Sequence, residues 1–123
     1  MAINSKAKGA RFERQLAAKF REYGYKDSRR TAQYCGNTGD AADIVGLPHL
    51  HIEAKHVERL NIYDAMEQAK RDAAAGAVTS DECKLPVVIH KKNNHETLVT
   101  MRFDDFMTIY KSYETGMLLQ ERE

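Results

Sequence analysis

Residues 50–55 alternate between apolar and polar or charged side chains. Successive side chains of a β-strand point to opposite faces, so its apolar residues would share one face while His51, Glu53 and Lys55 share the other. Upstream, Asp43 leads into an apolar β-branched pair, and residues 46–49 are typical of a turn. The pattern therefore predicts a β-hairpin that brings Asp43 and Glu53 to one end of a sheet.

Charged side chains that are flanked by apolar residues on a strand need partners, because desolvated charges must be paired or bound to a metal. A divalent cation held by Asp43 and Glu53, with Lys55 beside it, would satisfy all three groups. The alternative is an exposed strand whose solvent face carries Glu and Lys. The spacing E-x-K by itself does not separate these two interpretations.

The composition indicates one folded domain over residues 1–123, with a core at about 6–113 and an ambiguous tail at 116–123. The chain has 123 residues, of which 30% are charged and 42% hydrophobic, which suits a single modest core. It shows no run of about 20 apolar residues and no apolar signal segment, so we expect a cytoplasmic protein with no membrane partner. Cys35 and Cys83 are isolated, which predicts reduced thiols.

Charge is distributed unevenly along the chain. Residues 1–30 hold nine Lys or Arg and three Asp or Glu, a balance of +6, whereas the remainder holds ten and fifteen, a balance of −5. Such a basic segment is either a solvated helix surface or a surface that binds phosphates. The second interpretation predicts DNA contacts from Lys6, Lys8, Arg11, Arg14, Arg29 and Arg30.

The N-terminal third predicts a helix followed by a strand. After a ragged lead-in with Ser5 as a candidate N-cap, helical periodicity runs to residue 23 and is closed by Gly24. Glu13 lies on the flank of the apolar stripe, at the margin of the core. Residues 28–34 predict a first strand and residues 35–40 a loop. The buried stripe is predicted to comprise Phe12, Leu16, Phe20 and Tyr23.

The rest of the chain predicts two further helices and two further strands. Asn61 is predicted to cap a second helix that ends at Gly76, and residues 78–85 to form a loop. Residues 86–90 and 96–102 predict a hairpin joined through 91–95, followed by a last helix capped by Asp104. The predicted order is α-β-β-β-α-β-β-α, an α/β fold with a central mixed sheet flanked by helices.

These motifs carry a family resemblance. Asp43 followed by Glu53-Ala54-Lys55 resembles the D…(D/E)-x-K signature of the PD-(D/E)xK nuclease superfamily, with Ala42 in the place of the Pro. The segment 9–16, GARFERQL, resembles the G-x-x-x-E-R-x-L opening of the Holliday junction resolvase branch. The Arg pair at 29–30 and the Glu-Gln pair at 67–68 follow that branch in order.

The resemblance implies a restriction-endonuclease-like core and a magnesium-dependent endonuclease, with manganese able to substitute, acting on branched DNA in recombination and repair. In that family the helix glutamate, here Glu13, completes the metal site. Lys55 would orient the nucleophile and offset developing charge, and Gln68 would position the same water or the ion. The implied metal ligands are Glu13, Asp43, Glu53 and the carbonyl of Ala54.

Several alternatives stay open at the level of sequence. Zinc could be bound by His49 and His51 with Glu53 or His56, although we expect His51 to line the sheet edge or to contact nucleic acid. Flap, nicking and restriction-like nucleases share the same superfamily, and a non-catalytic DNA-binding or subunit-interaction module is a further alternative.

A resolvase must cut two strands related by two-fold symmetry, so we expect a homodimer. The apolar residues of the last helix are either its interface or ordinary core. They are Phe103, Phe106, Met107, Tyr110, Met117, Leu118 and Leu119.

Overall fold

The computed structural model describes residues 5–31, 42–80 and 83–122, without the side chains of residues 79 and 80. Within these ranges the elements follow the predicted order, so the fold prediction is confirmed. They are α1 (Ser5–Glu22), β1 (Arg29–Arg30), β2 (Ile44–Val45), β3 (Leu50–His56), α2 (Ile62–Ser80), β4 (Leu85–Lys91), β5 (Leu98–Met101) and α3 (Phe103–Glu121).

The strands form one mixed sheet in the order β1-β2-β3-β4-β5. The predicted hairpin is present, since β2 pairs antiparallel with β3 and Ile44 lies opposite Ile52. Strands β3 and β4 pair in parallel, because α2 connects them as a crossover, which a tight turn could not do. The central strand β3 is therefore hydrogen-bonded on both sides.

The two faces of β3 are covered by different helices. On one face, Ile52 and Ala54 pack with Phe12 of α1 in the larger cluster of buried residues. On the other face, Val88 of β4 packs against the alanines of α2, and Val88 lies beside Glu53 in the sheet register. Alternation along the strand thus directs Glu53 towards α2, where small side chains allow the helix to approach closely.

Several predicted boundaries are wrong. Helix α1 already begins at Ser5 and ends at Glu22, which leaves Tyr23 77% exposed and outside the predicted stripe. Helix α2 is capped by Asn61 as expected, whose Oδ1 accepts the Asp64 amide at 3.1 Å. It continues past Gly76, because a helical glycine costs only about 1 kcal/mol relative to alanine.

The C-terminal part also differs from prediction. Strand β5 covers only Leu98–Met101, and the N-cap position of α3 is Arg102, with no side-chain cap hydrogen bond. Asp104 instead lies in the first turn, where a carboxylate favourably meets the helix dipole. Strand β1 is limited to Arg29–Arg30, while the predicted loop at 35–40 and Cys35 lie outside the described residues.

Gly46 fixes the position of the β2–β3 hairpin. Its φ is 100°, and a Cβ added there would lie 2.3 Å from the backbone oxygen of Asp27. We expect Gly46→Ala to lower the free energy of unfolding by roughly 3–5 kcal/mol, because backbone strain and a steric clash add together.

Urea denaturation checks this prediction, with Gly24→Ala as the matched control. Gly24 has a similar φ of 105°, yet a Cβ added at Gly24 would meet nothing within 4 Å. The control should lose only about 1–2 kcal/mol. Equal losses in the two variants would mean that the close approach of Gly46 to residue 27 contributes nothing.

Candidate functional site

Asp43 is held against the β3 strand by its backbone and by its side chain. Its amide donates to the Ile52 carbonyl at 2.8 Å, and its own carbonyl accepts from the Thr31 amide at 3.0 Å. Its Oδ2 accepts from the Ala54 amide at 2.8 Å. The carboxylate is therefore fixed beside residues 53–55 before any ligand binds.

The position of Asp43 is electrostatically costly. Burial and the nearby charge of Glu53 raise the pKa of Asp43 to about 6, against the opposing effects of the Ala54 amide and the Lys55 ammonium. Glu53 itself is only 2% exposed. Two carboxylates that share a buried site repel each other, and a cation between them relieves that repulsion.

Lys55 and Gln68 meet between β3 and α2. The ammonium of Lys55 donates to Gln68 Oε1 at 3.3 Å. Both side chains are half-buried, so the long lysine chain is restricted on the same face of the strand as Glu53. The sequence placed these two residues in one site through the family resemblance, and the structure brings them together.

Glu13 lies in a different environment from the other predicted ligands. It is half-buried on α1, and its carboxylate accepts a hydrogen bond from Arg30 Nε. Among the described residues its ion pair is with Arg30, and it does not belong to the carboxylate and histidine cluster around Glu53. Glu13 as a metal ligand therefore stays a prediction.

The predicted DNA-binding residues divide into two groups. Arg30 is half-buried and paired with Glu13, whereas Arg29 is exposed and its Nη1 donates to the Asp27 carbonyl at 3.1 Å. Of the four on α1, Lys8 is half-buried and the other three are exposed. The solvent-accessible basic residues of this set are thus Lys6, Arg11, Arg14 and Arg29.

Two residues extend the site beyond the predicted set. His51 Nε2 lies 3.0 Å from Glu53 Oε1, and both side chains are buried. One ligand atom each from His51, Glu53 and Asp72 lies within 4.8 Å of the others. Asp72 could have been found by its spacing, because it follows Gln68 by four residues and so shares the same face of α2.

The expected place of His51 at a sheet edge or against nucleic acid is wrong, because β3 is a central strand and His51 is only 3% exposed. The zinc alternative also fails in the described part of the chain. His49 is exposed in the turn before β3, and the ring of His56 packs against Phe12 at 5.3 Å. These three histidines do not converge.

The donor chemistry fits a hard divalent cation. Carboxylate oxygens from Asp43 and Glu53, with a backbone carbonyl of the same strand, are the ligand types that Mg²⁺ and Mn²⁺ prefer. Burial and the charge of Glu53 raise the pKa of Asp43 to about 6, so a cation at this position would favour its ionised form. The same set would be a poor site for an anion.

A mixed five-stranded sheet that carries an aspartate, a glutamate and a lysine at D…E-x-K spacing is the arrangement of the PD-(D/E)xK nucleases. Residues 4–120 match the model of the family described as "Phage putative PDDEXK endonuclease". The chain belongs to this family, and it is a nuclease of the PD-(D/E)xK superfamily.

The other comparisons add no closer relative. Neither the curated proteins nor the solved structures gave a significant match. In residues 5–31, 42–80 and 83–122, none of the helices is both long and apolar enough to cross a membrane.

Proposed function

We propose that the protein is a divalent-metal-dependent DNA endonuclease that cuts four-way junctions, as a Holliday junction resolvase does. The observation that carries the chemistry is the fixed juxtaposition of the half-buried Asp43 with the buried Glu53, beside a restrained lysine. The preference for branched DNA is supported by the opening motif of α1 and by the exposed basic residues near it.

Each residue of the site has a separable role in this proposal. Asp43 and Glu53, with the carbonyl of Ala54, would hold Mg²⁺ or Mn²⁺. When bound, such an ion polarises the phosphodiester and lowers the pKa of a water molecule. The Ala54 amide keeps the Asp43 carboxylate in place through the 2.8 Å hydrogen bond, so little reorganisation is needed.

Lys55 would act on the attacking water and on the charge that develops on the phosphate. A fixed ammonium stabilises a transition state most effectively when its own orientation costs nothing during the reaction. The hydrogen bond from Lys55 to Gln68 restricts the ammonium in this way. Gln68 is therefore a positioning residue for Lys55 in this proposal.

A homodimer is supported by the surface of α3. None of the residues of α3 is buried, which favours an interface over ordinary core. Five large apolar residues recur at alternating steps of three and four, the spacing of a helix-pairing seam. These seam residues are Phe103, Phe106, Tyr110, Tyr113 and Met117, with exposed fractions of 43–75%.

The exposed area suits a second copy of this chain. Eight large apolar residues of α3, five of them in the seam, are 41–75% exposed, which amounts to roughly 770 Å² if each free side chain offers about 180 Å². A stable interface uses about 800 Å² per partner. A two-fold dimer built on α3 would place two active sites on one junction.

We expect Phe106→Glu combined with Tyr110→Glu to convert the dimer into a monomer, because four carboxylates would meet across the seam. The mass in solution should fall from about 28 kDa, twice the 14.0 kDa of the chain, to that of one chain. Sedimentation equilibrium measures this directly. Thr115→Glu, on the same helix outside the seam, should stay dimeric, and a wild-type monomer would refute the interface.

The function is tested with a panel of labelled substrates comprising a fixed four-way junction, a flap, a nicked duplex and a linear duplex. We expect paired, symmetric nicks in the junction with Mg²⁺ or Mn²⁺, and no cleavage in EDTA. Equal cleavage of flaps or linear duplex would assign a more general nuclease activity. Full activity in EDTA would contradict the metal-dependent chemistry.

A further inference from the structure

A second group of ligand atoms lies next to the proposed catalytic pair. The Nε2 of His51 is 3.0 Å from Glu53 Oε1, and a carboxylate oxygen of Asp72 completes a set within 4.8 Å. His51 and Glu53 come from alternate positions of β3, and Asp72 comes from α2 above them. The group therefore lies between the sheet and the helix, with two of its members almost fully buried.

The charges of this region do not balance. Asp43, Glu53 and Asp72 contribute three carboxylates, whereas the positive charge that acts on Asp43 comes from Lys55. The ammonium of Lys55 is also hydrogen-bonded to the neutral Gln68. Three carboxylates beside one ammonium leave excess negative charge in a partly desolvated place, and a cation would balance it.

We propose that His51, Glu53 and Asp72 form a second cation position, which shares Glu53 with the catalytic position and prefers Mn²⁺ to Mg²⁺. Mn²⁺ prefers oxygen ligands but accepts an imidazole nitrogen more readily than Mg²⁺ does, since Mg²⁺ is the harder ion. One imidazole in an otherwise carboxylate set thus determines which of the two ions is favoured. The inference deepens the proposed function and rests on it only through the shared Glu53.

The decisive measurement is made on the full chain without DNA. With Mn²⁺ bound to the wild-type protein, we expect electron spin echo modulation from one coordinated ¹⁴N nucleus. Titration calorimetry should give an affinity for Mn²⁺ at least about tenfold above that for Mg²⁺. Because neither measurement uses cleavage, a nuclease that fails to cut junctions could still show both signals.

Variants identify the nitrogen and the carboxylate. His51→Gln should abolish the ¹⁴N modulation and reduce the Mn²⁺ preference to near unity, while Asp72→Asn should weaken Mn²⁺ binding about tenfold and keep the modulation. His56→Gln is the matched control, because His56 lies on the same strand but hydrogen-bonds Asn93 instead. Glu67→Gln, an exposed residue of the same helix, is the control for Asp72.

Two results would overturn the inference. Absence of ¹⁴N modulation in Mn²⁺-loaded wild type would make His51 a hydrogen-bonding partner of Glu53 rather than a ligand, and this result needs no variant to fold. An unchanged ratio of Mn²⁺ to Mg²⁺ affinity in a folded His51→Gln protein would have the same meaning. Loss of cleavage with normal Mn²⁺ binding would instead refute the proposed function alone.

Discussion

Asp43→Asn is expected to abolish DNA cleavage and, at about pH 7, to stabilise the fold by up to about 3 kcal/mol. Cleavage fails because the variant loses one of the two carboxylates proposed to hold the cation. Stability rises because Asn carries no charge to desolvate or to repel Glu53. The amide oxygen of Asn can still accept the hydrogen bond that Asp43 receives from the Ala54 amide.

The stabilisation should depend on pH in a defined direction. The pKa of Asp43 is raised from 3.8 to about 6 in the folded state, so the folded protein binds this proton more tightly than the unfolded chain does. The resulting stability is fully present below about pH 4 and is lost as the pH rises to about 6. The advantage of the Asn variant should therefore grow over that interval and remain constant above it.

Urea denaturation at a series of pH values measures the difference between the two proteins. Asp27→Asn is the matched control, because Asp27 is exposed in the turn before β1, away from Glu53. A saturating divalent cation should also reduce the advantage of the Asn variant, since only wild type would gain the full binding energy. An Asn variant less stable than wild type at neutral pH would contradict the electrostatic account.

Lys55→Met is expected to lower the cleavage rate by roughly 10²–10³-fold with little change in folding. Methionine keeps the apolar stem that packs between β3 and α2, but it removes the ammonium that would act on the developing charge. The hydrogen bond that is lost is long, at 3.3 Å, so the stability should change by no more than about 1 kcal/mol.

Single-turnover cleavage with saturating metal measures this effect separately from DNA binding. Lys70→Met is the matched control, because Lys70 lies on α2 and pairs with the exposed Glu67 at 3.1 Å. Its rate should equal that of wild type. If Lys55→Met kept the wild-type rate, Lys55 would have no part in the mechanism. If the variant mainly weakened cation binding, the role of Lys55 would be structural.

Elements with local signals were predictable from the order of residues alone. The alternation of residues 50–55 and the turn at 46–49 predicted the hairpin, because strand periodicity and turn chemistry act within a few residues. The same hairpin brought Asp43 next to Glu53, as predicted from residues alone. The helix cap at Asn61 and the order of the helices and strands were also predicted from local signals.

Contacts between distant segments became visible once the elements were packed together. The pairing of Glu13 with Arg30 joins α1 to β1, and the cluster of His51 with Asp72 joins β3 to α2. Neither is encoded in a periodicity, because each depends on where two separately formed elements pack.

Helix α3 shows most clearly the difference between what the sequence predicts and what the packing determines. The sequence showed that the helix is apolar, which is equally compatible with core and with interface. The packing of the described residues leaves every seam residue exposed, because α1 and α2 already cover the two faces of the sheet. The local sequence determines the periodicity of a helix, whereas the space left by the other elements determines whether that helix is buried.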